Sequence, residues 1–294
     1  MTRRFRAVAV APGLGLTPHA MSALQGLSHS APVLLEHWPP PVPSYGVDAL
    51  VAGWQHQLDA DALSALPDLT YVALRATSTD RVDQQALKQR GITLNGITHY
   101  GDNATAEWVL GALLQTLRTP LPGRFAREAR GKRLGLVGFG VVAQSVAAGA
   151  AALGMDVTYY APSGPRPHAT VARYLPLDEL LTGSDVVSVH TPARTSVLTA
   201  RQLALLSAES VLIVTTLGLP FTLPDFSAAW PGEDRRGVFD MVAAHDNAES
   251  LAEIPGCRVE PVYAARSEES AREAEDQIIR AMYDHLRATD GEFA

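Results

Sequence analysis

Gly131-Lys-Arg-Leu-Gly-Leu-Val-Gly-Phe-Gly-Val-Val-Ala143 joins a short apolar run to two glycines spaced two apart, and a long stretch of small apolar residues follows it. The order reads as a buried strand, a tight turn and a helix, the context in which a G-x-G-x-x-G/A pattern holds a dinucleotide. Gly138 permits the tight turn, and Gly140 lets the backbone approach a pyrophosphate. Val141 and Val142 complete the turn, and Ala143 takes the third position, where a small side chain lets helix and strand pack closely. The helix amino end then offers backbone N–H groups and its positive dipole to phosphates. The other reading, a glycine turn of purely structural use, stays open at this point. A membrane span over Leu134–Met155 is a poorer account, because glycines, Gln144 and Ser145 interrupt the run.

On either side, apolar runs alternate with helical patterns, the mark of an α/β fold with parallel strands. Upstream, the runs Phe5–Val10, Val33–Leu35, Ala49–Ala52, Tyr71–Leu74 and Ile92–Leu94 read as strands. Helices are expected after Thr17-Pro18 and over Asp59–Leu66 and Asp80–Arg90. Asn103–Arg118 is the clearest helix, with Asp102 or Asn103 as cap and a stripe through Ala106, Val109, Leu110, Leu113, Leu114 and Leu117. Downstream, Val157–Tyr160, Asp185–Val189, Val211–Val214 and Val238–Met241 read as strands. A charged amphipathic helix, Glu268–Ala288, closes the chain. These boundaries predict a first domain of residues 1–102 plus 266–294 and a second, dinucleotide-binding domain of residues 103–265.

The chain has 294 residues, with 24 Lys+Arg against 31 Asp+Glu and a formal charge of −7. This acidic balance, with no dense basic block, argues against nucleic acid as a partner. A 47% hydrophobic content supports a sizeable core. One cysteine, Cys257, rules out an internal disulfide and a cysteine zinc site, and no metal site is expected. The amino-terminal apolar run is cut at Pro12-Gly13, too short for a signal peptide, so the expectation is a cytoplasmic protein without a membrane anchor. The lysines, Lys88 and Lys132, fall in no plausible place for a Tyr–Lys pair.

The end of the second strand of the nucleotide unit is informative through its residues. An acid there bonds the adenosine ribose and favours NAD. Here the chain reads Ala161-Pro-Ser-Gly-Pro-Arg166. No carboxylate opposes a 2′-phosphate, and Ser163, Arg166 or His168 can bind one, so the cofactor is read as NADP or NAD. Arg166 as a solvated loop arginine is the other reading.

Gly131–Gly140, together with Leu177-Asp-Glu-Leu-Leu181 and Ser184-Asp-Val-Val-Ser-Val-His-Thr-Pro192, resembles the cofactor domain of the D-isomer-specific 2-hydroxyacid dehydrogenases. Arg75 to Asp83, Gly91-Ile92 and Tyr100-Gly-Asp-Asn-Ala-Thr-Ala-Glu107 are similar to that family's substrate-domain edge and interdomain helix. The resemblance implies two Rossmann-like domains with doubly wound parallel sheets, the first flavodoxin-like, flanking a cleft that binds a small molecule. It also implies NAD or NADP and hydride transfer between 2-hydroxy and 2-oxo acids. By resemblance, His190, Thr191 and Pro192 lie beside the adenosine, Thr215, Thr216 and Thr105 near the nicotinamide, and Asp240 at the nicotinamide amide. His190 is read as positioning its loop rather than moving a proton.

The family's catalytic set does not carry over. Leu217 stands where the family has the arginine that clamps the substrate, His245 where it has a glutamate, and Val262 where it has a histidine. Leucine and valine supply neither a cation nor a proton. His245 and Tyr263 are the replacement candidates, with surface and packing roles as the alternatives. His99, Tyr100, Asp102, Arg75 and Arg266 are candidates for the rest of the cleft. Apolar Leu217 and Val262 point to a less charged, more apolar ligand. Two functions remain open: an atypical oxidoreductase with a changed substrate, and a redox-silent member that reuses the dinucleotide cleft for binding, regulation or non-redox chemistry. A homodimer is a further expectation, although the segment between Arg118 and Gly131 is shorter than the one that carries the family's dimer arm.

Overall fold

Side chains alternate between the two faces of a β-strand, so a sheet covered on both sides must be apolar at every position. Ala49–Gly53 and Val211–Val214 meet that condition along their whole length. The computed structural model describes residues 4–167, 169–230 and 234–291, and the chain divides into two compact units, residues 1–100 with 268–294 and residues 101–267.

The first unit contains β1 (Val8–Val10), α1 (Pro18–Gly26), β2 (Val33–Leu34), β3 (Ala49–Gly53), α2 (Ala60–Ser64), β4 (Tyr71–Arg75), α3 (Gln84–Gln89) and β5 (Thr93–Gly96). Its five strands are all parallel, in the order β2-β1-β3-β4-β5. This is the flavodoxin-like order of a doubly wound sheet. Ala9, Leu50, Ala52, Val72 and Leu74 pack into one core, and Val8, Val10, Ala49, Val51, Tyr71 and Ala73 into another.

The second unit runs through α4 (Asp102–Arg118), β6 (Arg133–Val137), α5 (Val141–Ala152), β7 (Asp156–Tyr160), β8 (Arg173–Tyr174), α6 (Leu177–Gly183) and β9 (Val186–Val189). It continues with α7 (Ala200–Leu203), β10 (Val211–Val214), α8 (Leu223–Ala229), β11 (Arg236–Phe239), α9 (Met241–Ala244), α10 (Ala248–Ala252) and β12 (Cys257–Val259). Its seven-stranded parallel sheet has the order β12-β11-β10-β9-β6-β7-β8, which reverses direction between β6 and β9. Leu134, Leu136, Val186, Val211 and Ile213 face the core under α4 and α5. Val137, Val187, Val189, Leu212 and Val214 face the opposite one.

Helix α11 (Glu268–Gly291) then returns to the first unit. Ala274, Ile278, Met282 and Leu286, spaced four apart, form one stripe in its core. Glu275 lies on the same buried side, 3% exposed. Its carboxylate accepts from Thr17 N at 2.9 Å and from Thr17 Oγ1 at 2.5 Å, while Thr17 Oγ1 accepts from Ala20 N to cap α1. One buried acid therefore ties the last helix to the start of the first, as the capping position at Thr17-Pro18 allows.

Several boundaries differ from the sequence reading. The first strand is confined to Val8–Val10, with Phe5 making only an isolated bridge to Ser28. Val82 bridges Leu58, so α3 starts at Gln84 under an Asp83 cap rather than at Asp80. The strand after it begins at Thr93 and continues to Gly96. Neither Asp102 nor Asn103 caps α4: Gly101 takes that place with no side-chain bond. The run Val238–Met241 splits, because the strand ends at Phe239 and Asp240 caps α9. Leu134–Met155 is β6 and α5, and among the described residues no helix is long and apolar enough to cross a membrane.

Glu275→Ala leaves the Thr17 N–H without its partner inside a packed core. Hydrogen bonds to charged groups contribute roughly 1.5–3 kcal/mol, so urea unfolding is expected to show a loss of about 2–3 kcal/mol. Glu275→Gln, which keeps one acceptor oxygen, is expected to fall between.

Candidate functional site

All strands of the second sheet point the same way, so β6, β7, β9, β10 and β11 bring the segments that follow them to a single edge. Open parallel sheets bind ligands at that carboxyl edge, where the strand order reverses. The reversal here is between β6 and β9, and the glycine turn follows β6.

Gly138 has φ +94°, and a Cβ there meets the His190 carbonyl oxygen at 2.2 Å. The His190 N–H in turn donates to Val137 O at 2.7 Å. The two strand ends touch backbone to backbone, and only glycine fits. Gly140 is different: its φ is −80° and a Cβ there meets nothing within 4 Å. That glycine leaves open space in front of the first turn of α5, whose cap makes no side-chain hydrogen bond. Val141 is 49% exposed beside it, while Val142 is half-buried and Ala143 fully buried. Thr191 Oγ1 is buried without a partner. An open cradle at a helix amino end, next to an unpaired hydroxyl, fits the pyrophosphate of a dinucleotide.

Aromatic contacts fix the loop after β7. Phe139 stacks on Tyr159 with ring centroids 3.9 Å apart, and Tyr159 OH accepts from Arg166 N at 2.5 Å. Ala161 is buried, whereas Ser163 and Arg166 are exposed. His168 lies outside the described residues. The Tyr159 hydroxyl that pins this loop was not singled out from sequence, where a tyrosine in a strand signals only a packed core.

Burial pushes the His190 imidazole down to about 4, so the ring is neutral near pH 7, and its Nε2 is 2.9 Å from Ser188 Oγ. Pro192 is exposed, and its carbonyl accepts from Thr195 N. After β10, Thr215 and Leu217 are half-buried, and Thr216 Oγ1 donates to Gly218 O at 2.7 Å. Thr105 is buried in the first turn of α4, its hydroxyl donating to Gly101 O at 2.8 Å.

Asp240 is 2% exposed, and burial raises its carboxyl to about 6 against the pull of backbone N–H groups. Its oxygens accept from Ala243 N at 2.8 Å and from Ala264 N at 2.9 Å. It therefore holds the segment containing Val262 and Tyr263, and the Val262 carbonyl also accepts from Met241 N. Val262 is 47% exposed. Tyr263 is half-buried, with Arg266 N donating to its carbonyl. His245 is exposed at the end of α9, with φ +26° and Nδ1 2.6 Å from Asp246 Oδ1. Cys257 is no nucleophile, since burial pushes its thiol up to about 12. Among the described residues no cluster of His, Cys, Asp and Glu is placed to hold a metal. In the first unit, Arg75 Nη1 donates to Leu14 O at 2.7 Å and Ser78 Oγ to Asp80 Oδ1 at 2.6 Å.

His190 and Asp240 give opposite pH dependences. An imidazole held at about 4 in the fold and at 6.5 when unfolded contributes stability above pH 6.5 that is lost as the pH falls toward 4. A carboxyl raised to about 6 favours the fold increasingly as the pH falls through 6. Between pH 7 and 4.5 the stability difference between wild type and His190→Asn is expected to move toward the variant by roughly 2–3 kcal/mol. Asp240→Asn is expected to move it the other way, with urea midpoints across pH as the measurement.

Residues 114–219 match the model of the D-isomer specific 2-hydroxyacid dehydrogenase NAD binding domain. The chain is 30% identical over 249 residues to glycerate dehydrogenase of Methylorubrum extorquens, an overlap of 75% of this chain and 77% of the relative. It is 31% identical over 218 residues to D-3-phosphoglycerate dehydrogenase of Haemophilus influenzae, covering 67% of this chain and about half, 53%, of that longer protein. Among solved structures, the TT0316 protein of Thermus thermophilus superposes with a TM-score of 0.80 at 25% identity, over 95% of this chain and 97% of the other. With its two parallel sheets and its glycine turn at the strand-order reversal, the chain belongs to the D-isomer specific 2-hydroxyacid dehydrogenase family.

Proposed function

We propose that this protein is an NAD(P)-dependent oxidoreductase whose substrate and acid–base groups differ from those usual in its family. The observation that carries the reading is a contrast along one sheet edge. The nucleotide cradle keeps Gly138, the open space at Gly140 and the unpaired Thr191 hydroxyl, whereas the reacting positions hold half-buried Leu217 and exposed Val262.

The bound cofactor supplies a hydride donor or acceptor. The chain's own residues do the rest. Gly138 keeps β6 and β9 in contact, and the N–H groups at the start of α5 take phosphate oxygens. Neutral His190 holds the loop carrying Thr191, and Asp240 fixes the Val262–Ala264 segment. Leu217 and Val262 favour a ligand that presents apolar groups to them, since neither stabilises developing charge. With Ala161 where an acid favours NAD, and Ser163 and Arg166 exposed nearby, NADP is expected to bind at least as well as NAD.

A second reading, a redox-silent member that binds the dinucleotide without turnover, is favoured by one observation. At the three positions where the family has its catalytic residues, this chain offers no buried proton donor: Leu217 and Val262 carry none and His245 is exposed. Consumption of reduced cofactor across a panel of 2-oxo acids separates the two. Both readings expect negligible turnover of glyoxylate, pyruvate, hydroxypyruvate and phenylpyruvate. Activity on any of these within about tenfold of ordinary members refutes both. Turnover of a different, more apolar oxo compound selects the oxidoreductase.

Two substitutions test the cofactor assignment. Gly140→Ala places its Cβ in empty space, so the variant is expected to keep wild-type stability while losing roughly tenfold or more in dinucleotide affinity. Arg166→Ala is expected to weaken NADP selectively in calorimetric titration. Tight NAD binding with undetectable NADP binding in the wild type contradicts the assignment.

A further inference from the structure

The first sheet has a strand-order reversal of its own. In the order β2-β1-β3-β4-β5 it falls between β1 and β3, whose following segments emerge at the carboxyl edge. Open parallel sheets take ligands at such a point. The loop after β1 has little packing of its own, since Gly13 and Gly15 are exposed, with φ +72° and +57°. Side chains from two neighbouring segments hold its carbonyl groups instead. Arg75, the last residue of β4, donates from Nη1 to Leu14 O at 2.7 Å. His56 Nε2 lies 3.0 Å from Pro12 O.

The His56 ring, in a residue 4% exposed, has a second bond: Gly53 N, at the end of β3, donates to its Nδ1 at 2.9 Å. A backbone N–H only donates and a backbone carbonyl only accepts. These partners therefore settle the tautomer, with the lone pair on Nδ1 and the proton on Nε2. A second proton would have to go on Nδ1, where it meets the Gly53 N–H donor to donor, and that bond breaks.

The surroundings offer an imidazolium no compensation. Trp38 packs edge-on with ring centroids 5.7 Å apart and donates from Nε1 to Gln57 O, while Glu36 and His37 beside it are exposed. The Asp59 carboxylate caps α2, Arg75 is engaged with Leu14, and Arg81 sits on the loop whose carbonyl accepts from Leu58 N. None of these charges shifts the ring, which burial holds below the ordinary imidazole value against the pull of its two backbone bonds.

We propose that His56 is a pH-sensitive latch of the first unit, whose neutral ring ties the loop after β1 to the end of β3 and whose protonation releases both. It is a positioning residue: it fixes the shape of the edge at which this sheet would take a ligand. Because burial lowers the ring from 6.5, the latch is closed above that pH and loosens as the pH falls below it. The latch belongs to the first unit and is independent of the oxidoreductase reading.

The test follows the full-length protein by nuclear magnetic resonance between pH 7.5 and 4.5. At pH 7.5 the His56 ring is expected to carry its proton on Nε2 and none on Nδ1. Hydrogen exchange at the Gly53 amide, corrected for its intrinsic pH dependence, is expected to quicken about tenfold as the pH falls below 6.5. The Val72 and Leu74 amides of β4 are expected to keep their protection, while backbone motion at Gly13 and Gly15 grows. His56→Asn offers the Gly53 N–H an acceptor that does not titrate, so Gly53 exchange in that variant is expected to be independent of pH. Four results each overturn the inference. They are a neutral ring protonated on Nδ1 at pH 7.5, Gly53 protection unchanged to pH 4.5 in the wild type, equal acid loss of protection at Gly53 and in β4, and the same acid loss at Gly53 in His56→Asn as in the wild type.

Discussion

The contact between Gly138 and the His190 carbonyl sets the geometry on which the nucleotide end of this chain depends. The two parallel strands β6 and β9 are followed by connections that lead to helices on opposite faces of the sheet. They can stay together up to that point only if one backbone presents no side chain to the other, and a Cβ 2.2 Å from a carbonyl oxygen leaves no room for any residue but glycine. From that contact follow the direction of α5, the placement of Thr191 and the desolvation of the His190 ring. A ring kept neutral by desolvation can orient a loop, but it is a weak source of protons near pH 7.

A polar group at the opposite side of the same edge does comparable work. Asp240 is buried, and the cost of burying its charge is offset only in part by backbone N–H groups. It joins the start of α9 to Ala264 and so gives the segment with Val262 and Tyr263 a fixed path. The stretch that the sequence reading sets against the family's histidine is therefore built on an ordered backbone. The scaffold is shared with relatives of the family, and the proposed change of substrate would lie in side-chain chemistry alone, which is how sites diverge within a fold.

Much of this organisation was legible in the sequence. Strands buried on both faces read as continuous apolar runs, and Val211–Val214 is delimited to the residue. The glycine spacing, Ala143 and the Thr17-Pro18 cap are local rules with local causes, and each has its expected geometry here. The failures share a different cause. Strands β8 and β12 have two and three residues and carry no periodicity. The late start of α3 depends on Val82 pairing with Leu58, more than twenty residues away in sequence. Nothing in the sequence of the last helix announces Thr17 as the partner of Glu275. Arg194 sits in Pro192-Ala-Arg-Thr-Ser196, a loop sequence in which no residue type signals positive φ.

Strand β2 also bears on how this protein behaves at high concentration. It is the outermost strand of the first sheet, pairs with β1 through only two residues, and leaves Leu34 65% exposed. An apolar sheet margin of this kind is a template for pairing with another molecule, the first step toward fibrous aggregates. The chain limits the hazard by brevity and by what comes next: Pro39, Pro40, Pro41 and Pro43 lack the N–H groups that an incoming strand would need. The prolines after Trp38 thus act as gatekeepers, and shortening that segment would put colloidal solubility at risk before it disturbed the nucleotide cradle.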